Sequence, residues 1–306
     1  MGSYKIGPVN SRSESRSAGR RLIVGALIAL QVAAAIAHAQ TSPAQTGPQE
    51  TPAQEITFPS GSVTLHGFLF KPAGDGPFPA ILWNHGSERL PGRLQPLADF
   101  FVGKGYVFFV PHRRGQGRSS DAGPYVMDLL RTEGQQRGPS ARSAKLVEMM
   151  QLHFQDQLAG LAYLHSLTFV DAKRIAVMGC SFGGIQTLLA AEDAPDIRAA
   201  VDFAGGAESW EGSPDLRARM IKAARNAKVP VFFIQAEGDY DLAPSRTLAK
   251  EMEKQGKPAQ IHIYPSVGHT QQENHAFCVH AVDVWGADAL AFVEKSFAGG
   301  QSPTVH

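Results

Sequence analysis

Cysteine is nearly absent from this chain, with only Cys180 and Cys278 among 306 residues. The two form no CxxC pair and belong to no metal-type cluster, which excludes a cysteine-ligated metal as the organising element. A strong charge of either sign is also missing: 29 Lys and Arg stand against 28 Asp and Glu, for a formal net charge of +1. Neither nucleic acid nor an anionic surface is implied as a partner by that balance. Long apolar runs are missing as well, with one exception at residues 22–37, broken only by Gln31.

That run is 16 residues long, short of the roughly 20 that a permanent membrane-spanning helix needs. Arg20 and Arg21 precede it and Ala37-His38-Ala39 follows it, the order of a signal peptide with a small-x-small cleavage site. Residues 1–39 are therefore expected to be removed on export, giving a periplasmic or secreted protein with no stable membrane insertion. Leu22, Ile23 and Val24 do not complete a twin-arginine pattern, so both export routes stay open. No cysteine near the cleavage site offers a lipid anchor. Cleavage leaves 24 basic and 27 acidic residues, a balance of −3. In an oxidising compartment Cys180 and Cys278 could pair, and the sequence leaves that question open.

What remains is 43% hydrophobic and 19% charged over the whole chain, ordinary for one large α/β domain. Residues 40–55, rich in Thr, Pro, Gln and Ala, read as a disordered lead. Residues 56–58 and 63–70 read as an opening pair of antiparallel strands. Apolar runs at 78–83, 105–110, 175–178, 197–203, 229–234 and 260–264 alternate with helical patterns, which implies a mostly parallel sheet with helices on both faces and a site at the carboxyl ends of the strands. Residues 120–144 carry Arg131, Arg137 and Arg142 among glycines. This segment is the candidate lid, and residues 143–166 then read as helical, with His153 and His165 as structural members of that helix. Ser213 and Pro214 are the expected N-cap and first residue of a later helix.

The strand at 175–178 runs into Gly179-Cys180-Ser181-Phe182-Gly183-Gly184 and then a helix. In that context G-x-S-x-G has mechanical meaning: the tight turn projects the serine hydroxyl from the sheet, and only glycines let strand and helix approach so closely. Ser181 is the candidate nucleophile. Asn84-His85-Gly86-Ser87 ends the first buried strand and is positioned to supply one oxyanion donor, near Ser87, with the Phe182 amide as the other. His85 and His269 are candidate substrate contacts, together with Arg131.

A strand after Gly105-Tyr106, the turn Arg114-Gly115-Gln116-Gly117-Arg118-Ser119 and the Gly-Cys-Ser-Phe-Gly-Gly elbow resemble the α/β-hydrolase superfamily, in its dienelactone-hydrolase-like and prolyl-oligopeptidase-like branches. The resemblance extends from about Val63 to Phe297 and implies an α/β-hydrolase fold with an eight-stranded sheet. It also implies the chain order nucleophile, acid, base. Asp239, Asp241 and Glu237 compete for the acid, and the resemblance favours Asp239, with Asp241 able to cap the next helix instead. For the base it favours His275, in His275-Ala276-Phe277, over His269, although Asn274 stands where the family usually has glycine. Dienelactone hydrolases carry cysteine at the centre of the elbow, whereas here Ser181 occupies the centre and Cys180 precedes it. That departure points toward ordinary small-molecule esters as substrates, with no metal or organic cofactor. A peptidase and a non-catalytic binding protein are the rival readings. Oligomeric state is not legible. The processing expectation has a direct check: amino-terminal sequencing of the exported protein should begin at Gln40, and a chain that retains residues 22–37 would contradict it.

Overall fold

Strand residues alternate between two apolar layers, and that alternation builds the protein around one sheet. In the computed structural model, which describes residues 50–299, the strands are β1 (Gln54–Ser60), β2 (Val63–Phe70), β3 (Phe78–Asn84), β4 (Val107–Pro111), β5 (Val170–Cys180), β6 (Ala199–Phe203), β7 (Val231–Ala236) and β8 (Ala259–Tyr264). Their order is β1-β2-β4-β3-β5-β6-β7-β8. The β1/β2 and β2/β4 pairs are antiparallel, and every later pair is parallel. The eight-stranded, mostly parallel sheet expected from the sequence is thus present. The expected signal segment and most of the expected lead, residues 1–49, lie outside the described residues.

One expectation at the start fails. Gln54 and Glu55 are not disordered; they belong to β1, with Gln54 opposite Leu69 and Glu55 opposite Phe68. An edge strand needs burial only on its inner face, and β1 buries Ile56, Phe58 and Ser60 while Glu55, Thr57 and Pro59 are exposed.

The helices are α1 (Gln95–Gly103), α2 (Val126–Arg137), α3 (Pro139–Ser166), α4 (Phe182–Asp193), α5 (Pro214–Asn226), α6 (Ala243–Lys254), α7 (Gln271–His275), α8 (Phe277–His280) and α9 (Val282–Gly299). From β5, Ile175 and Val177 face the layer that contains residues of α3, α4, α5 and α6, and Ala176, Met178 and Cys180 face the layer with α1, α8 and α9. Trp83 and Trp285 anchor the second layer, stacked 6.1 Å apart. Among the described residues no helix is long and apolar enough to cross a membrane.

The candidate lid is more regular than expected. It consists of the end of a 3₁₀ turn, the whole of α2 and the start of α3, which begins at Pro139 rather than near Ser143. Gly138, with φ 87°, separates the two helices, a conformation that favours glycine. Pro139 suits the first helical position, where no N–H is needed. Ser213 does precede α5, but its hydroxyl makes no capping hydrogen bond.

Asp202 sits in β6 opposite Gly179 of β5 and is 1% exposed. Its Oδ1 accepts the Gly205 N–H at 2.8 Å, and its Oδ2 has no protein partner among the described residues. Burial pushes its pKa up to about 7, against the pull of the Gly205 hydrogen bond. The folded chain therefore keeps a proton that the unfolded chain releases near pH 4, so this group subtracts stability as pH rises from about 4 to 7. Urea denaturation should show a loss of roughly 2–3 kcal/mol between pH 5 and 7.5 from this group. Asp202→Asn should remove that pH dependence, and an unchanged slope in the variant would contradict the assignment.

Candidate active site

The β5–α4 turn places Ser181 at φ 57° and ψ −115°, a left-handed backbone that a non-glycine residue holds only when its surroundings fix it. Its N–H donates to the Phe203 carbonyl at 2.8 Å and its carbonyl accepts from Ile185 N–H at 3.2 Å. The neighbouring glycines answer steric demands. A Cβ at Gly179 would strike the Gly183 carbonyl, one at Gly183 would strike the Asn84 carbonyl, and one at Gly184 would strike the Asp202 carboxylate. Cys180 turns away from the serine into the core, where it is bonded to Cys278 as a disulfide. The pairing left open by the sequence is therefore present.

His275 ends α7 and presents Nδ1 to Asp239 Oδ1 at 2.8 Å, with both side chains buried. Facing a carboxylate, Nδ1 carries the proton. Nε2 has no partner among the described residues, which leaves it available as an acceptor. Asp239 is fixed from behind: Oδ2 accepts Gln235 Nε2 at 3.0 Å, and Oδ1 accepts the Tyr240 N–H at 2.6 Å. Gln235 is itself oriented by the Ser245 hydroxyl at 2.8 Å. Asp241 is used differently, accepting the Ala243 N–H at 2.8 Å at the start of α6. Of the competing acids, the structure brings Asp239 to the imidazole.

Burial pulls the His275 pKa down, but the hydrogen bond and charge of Asp239, with Glu208 and Glu88 behind it, outweigh this and hold it above the usual 6.5. The Tyr240 ring lies edge-on to the imidazole at 5.2 Å. Asn274, the residue out of family pattern, has a job that glycine cannot do. Its Oδ1 accepts Val267 N–H at 2.9 Å and its Nδ2 donates to Thr270 O at 2.8 Å, pinning the loop before α7. A capping box between Thr270 and Glu273 opens that helix.

The loop after β3 is shaped by a buried arginine. Arg113, 2% exposed, donates from Nη1 to His85 O at 2.8 Å and from Nη2 to Gly86 O at 2.5 Å. Gln116 Nε2 adds a bond to Glu88 O at 2.7 Å. In a trans peptide the N–H points opposite the carbonyl, so drawing Gly86 O toward Arg113 turns the Ser87 N–H the other way. Neither that N–H nor the Phe182 N–H is used in a hydrogen bond among the described residues. Ser87, Ser181 and Phe182 line one cavity of about 30 Å³. Tyr125, from the lid segment, holds Ser87 by its carbonyl at 2.6 Å.

The three candidate substrate contacts fall elsewhere. His85 is 1% exposed and occupied by Arg113, and burial followed by the Arg113 charge drives its pKa well down, so it serves the loop and not a substrate. Arg131 lies on the exposed side of α2, paired with Asp128 at 2.7 Å. His269 is exposed and lines a different surface hollow. The cavity beside Ser181 instead meets Arg142 and Glu208, with Met127, Leu130, Leu146 and Met150 as its apolar wall. Helical spacing holds the signal for part of that wall, because Leu146 and Met150 are i and i+4 on α3. No pattern in the sequence marks Arg113 or Glu208. His153 has the structural place its helix implies, buried behind Phe182 with ring centroids 5.6 Å apart.

Arg113 keeps its charge, although burial lowers its pKa to about 10 against the opposing charges of Glu88 and Asp156. Replacing it with methionine strands the His85 and Gly86 carbonyls. Arg113→Met should therefore cost about 2–5 kcal/mol in urea denaturation, and a loss below about 1 kcal/mol would show that the loop does not depend on it.

The chain has relatives among known proteins. Protein usf of Aquifex pyrophilus is 24% identical over 254 residues, covering 79% of this chain and 98% of its own. Human dipeptidyl peptidase 8 is 28% identical over 244 residues, but this chain spans only 25% of it. Among solved structures, the acylaminoacyl peptidase of Pyrococcus horikoshii superposes with a TM-score of 0.55 at 19% identity, over 77% of this chain and 42% of that one, which is a likeness of fold. The dienelactone hydrolase family model matches residues 65–290, and the chain belongs to that family.

Proposed function

We propose that the protein is an exported serine hydrolase of carboxylic esters. Ser181 Oγ attacks the acyl carbonyl while His275 Nε2 takes its proton, Asp239 holds the imidazole in the required tautomer, and the Ser87 and Phe182 amides receive the developing oxyanion. Expulsion of the alcohol, protonated by His275, leaves an acyl-serine. Water, deprotonated by the same imidazole, then releases the acid and restores Ser181. The observation that carries this reading is the buried His275 ring, with Nδ1 engaged by Asp239 and Nε2 without a partner among the described residues, in a fold that sets a strained serine on the elbow. Similarity to dipeptidyl peptidase 8 supports a second reading, a peptidase acting through the same groups.

The base must be neutral to work, so kcat/KM should rise with pH through the His275 pKa, on a limb above the usual 6.5. Hydrolysis of p-nitrophenyl acetate should disappear in Ser181→Ala. Asp239→Asn should cost roughly 10³–10⁴-fold in kcat and move the limb downward. Turnover that survives Ser181→Ala would sink the proposal. Rapid cleavage of aminoacyl p-nitroanilides with negligible esterase activity would favour the peptidase.

A further inference from the structure

We infer that the Cys180–Cys278 disulfide positions the catalytic base relative to the nucleophile, beyond any general stabilisation it brings. The inference rests on the proposed roles of Ser181 and His275. Cys180 is the last residue of β5 and the immediate neighbour of Ser181, and Cys278 lies in α8, three residues after His275. The covalent path between nucleophile and base is therefore short on both sides of the sulfurs. Both sulfurs also lie against the His275 backbone carbonyl, Cys278 Sγ at 3.5 Å and Cys180 Sγ at 3.9 Å. Having no S–H, they are packing neighbours of that carbonyl and not donors to it.

The segment that bears His275 is anchored by the buried Phe277, by Trp285 Nε1 donating to the Phe277 carbonyl at 3.3 Å and by the Tyr240 hydroxyl donating to Gln272 Oε1 at 2.7 Å. The disulfide is its covalent tie to β5. Helix α7 has five residues and α8 has four, far below the length at which a helix holds itself. The loop before them is tied chiefly to their own members, through Asn274 and Glu273. The imidazole has one side-chain hydrogen bond, to Asp239 in the turn after β7. Cys278 supplies the covalent link, buried beside Phe277 and Trp285 in the layer under β5. A disulfide spanning 98 residues of sequence would stabilise the fold wherever it sat. Its placement at both catalytic segments is what adds a second, local effect.

Reduction breaks the S–S bond and forms two thiols, with two electrons and two protons supplied by a dithiol such as dithiothreitol, which closes to its own cyclic disulfide. Because the sulfurs are buried, the cleaner test is the double variant Cys180→Ala/Cys278→Ala. It is measured well below its melting temperature, where circular dichroism shows it folded. The expected result is a fall in kcat of roughly 10–100-fold with KM little changed, and an acid limb displaced toward the ordinary histidine value. The low-field proton resonance of the His275 Nδ1–H, read also in a Ser181→Ala background, should broaden or vanish. A variant that melts earlier but keeps kcat, the limb and that resonance would overturn the inference and leave the bond a plain staple. If the double variant does not fold, kcat, the limb and the resonance are measured on wild type reduced with dithiothreitol, where the same changes support the inference and the same constancy overturns it. Should oxidised wild type have no hydrolase activity at all, the proposed function fails, while the resonance still decides whether the disulfide holds the imidazole in place.

Discussion

The close approach of β5, α4 and the loop after β3 is the constraint on which the rest of this structure depends. Ser181 can hold a left-handed backbone only because its amide and carbonyl are both engaged and because Gly179, Gly183 and Gly184 leave no Cβ in the way. Gly183 presses on Asn84, which sets where the following loop begins. Arg113 then draws the carbonyls of that loop inward and lies over the Phe182 ring at 4.8 Å. The candidate nucleophile and candidate oxyanion donors are thus consequences of one packing arrangement. A side chain added at any of those three glycines would disturb all of them together.

Electrostatics around the site follow from burial more than from surface charge. His275 is shielded from water, yet its pKa is raised because Asp239, Glu208 and Glu88 favour the imidazolium. In the proposed role, accepting a proton and then returning it, the imidazole gains from such surroundings. Asp202, one strand over, has no cation beside it among the described residues and stays protonated toward neutrality. Two buried carboxylates therefore differ through their partners: Asp239 has an imidazole, the Gln235 side-chain amide and the Tyr240 N–H, and Asp202 has one backbone amide.

Much of this is legible in the sequence because the local rules are strong. The alternation of strands and helices, the elbow at Ser181, and the pairing of Asp239 with His275 follow from apolar runs, glycine placement and family order, and each appears in the structure at the expected residue. The lid segment hides its helix because α2 is punctuated by Gly134, which sits in the helix against the Arg142 side chain, a contact made across the turn and invisible in the helix's own pattern. Arg131, His85 and His269 are attractive by residue type alone. Their orientations are fixed by Asp128, by Arg113 and by solvent, none of which spacing reveals. The disulfide joins residues 98 apart, and only the folded sheet brings β5 against α8.

Everything proposed for the site depends on Ser181 being a nucleophile served by His275. Peptide mapping by mass spectrometry after treatment of the folded protein with a fluorophosphonate tests it most directly. One adduct is expected, on Ser181, with labelling slowed when His275 is replaced by alanine. A folded protein that acquires no adduct, or acquires it on another residue, would contradict it.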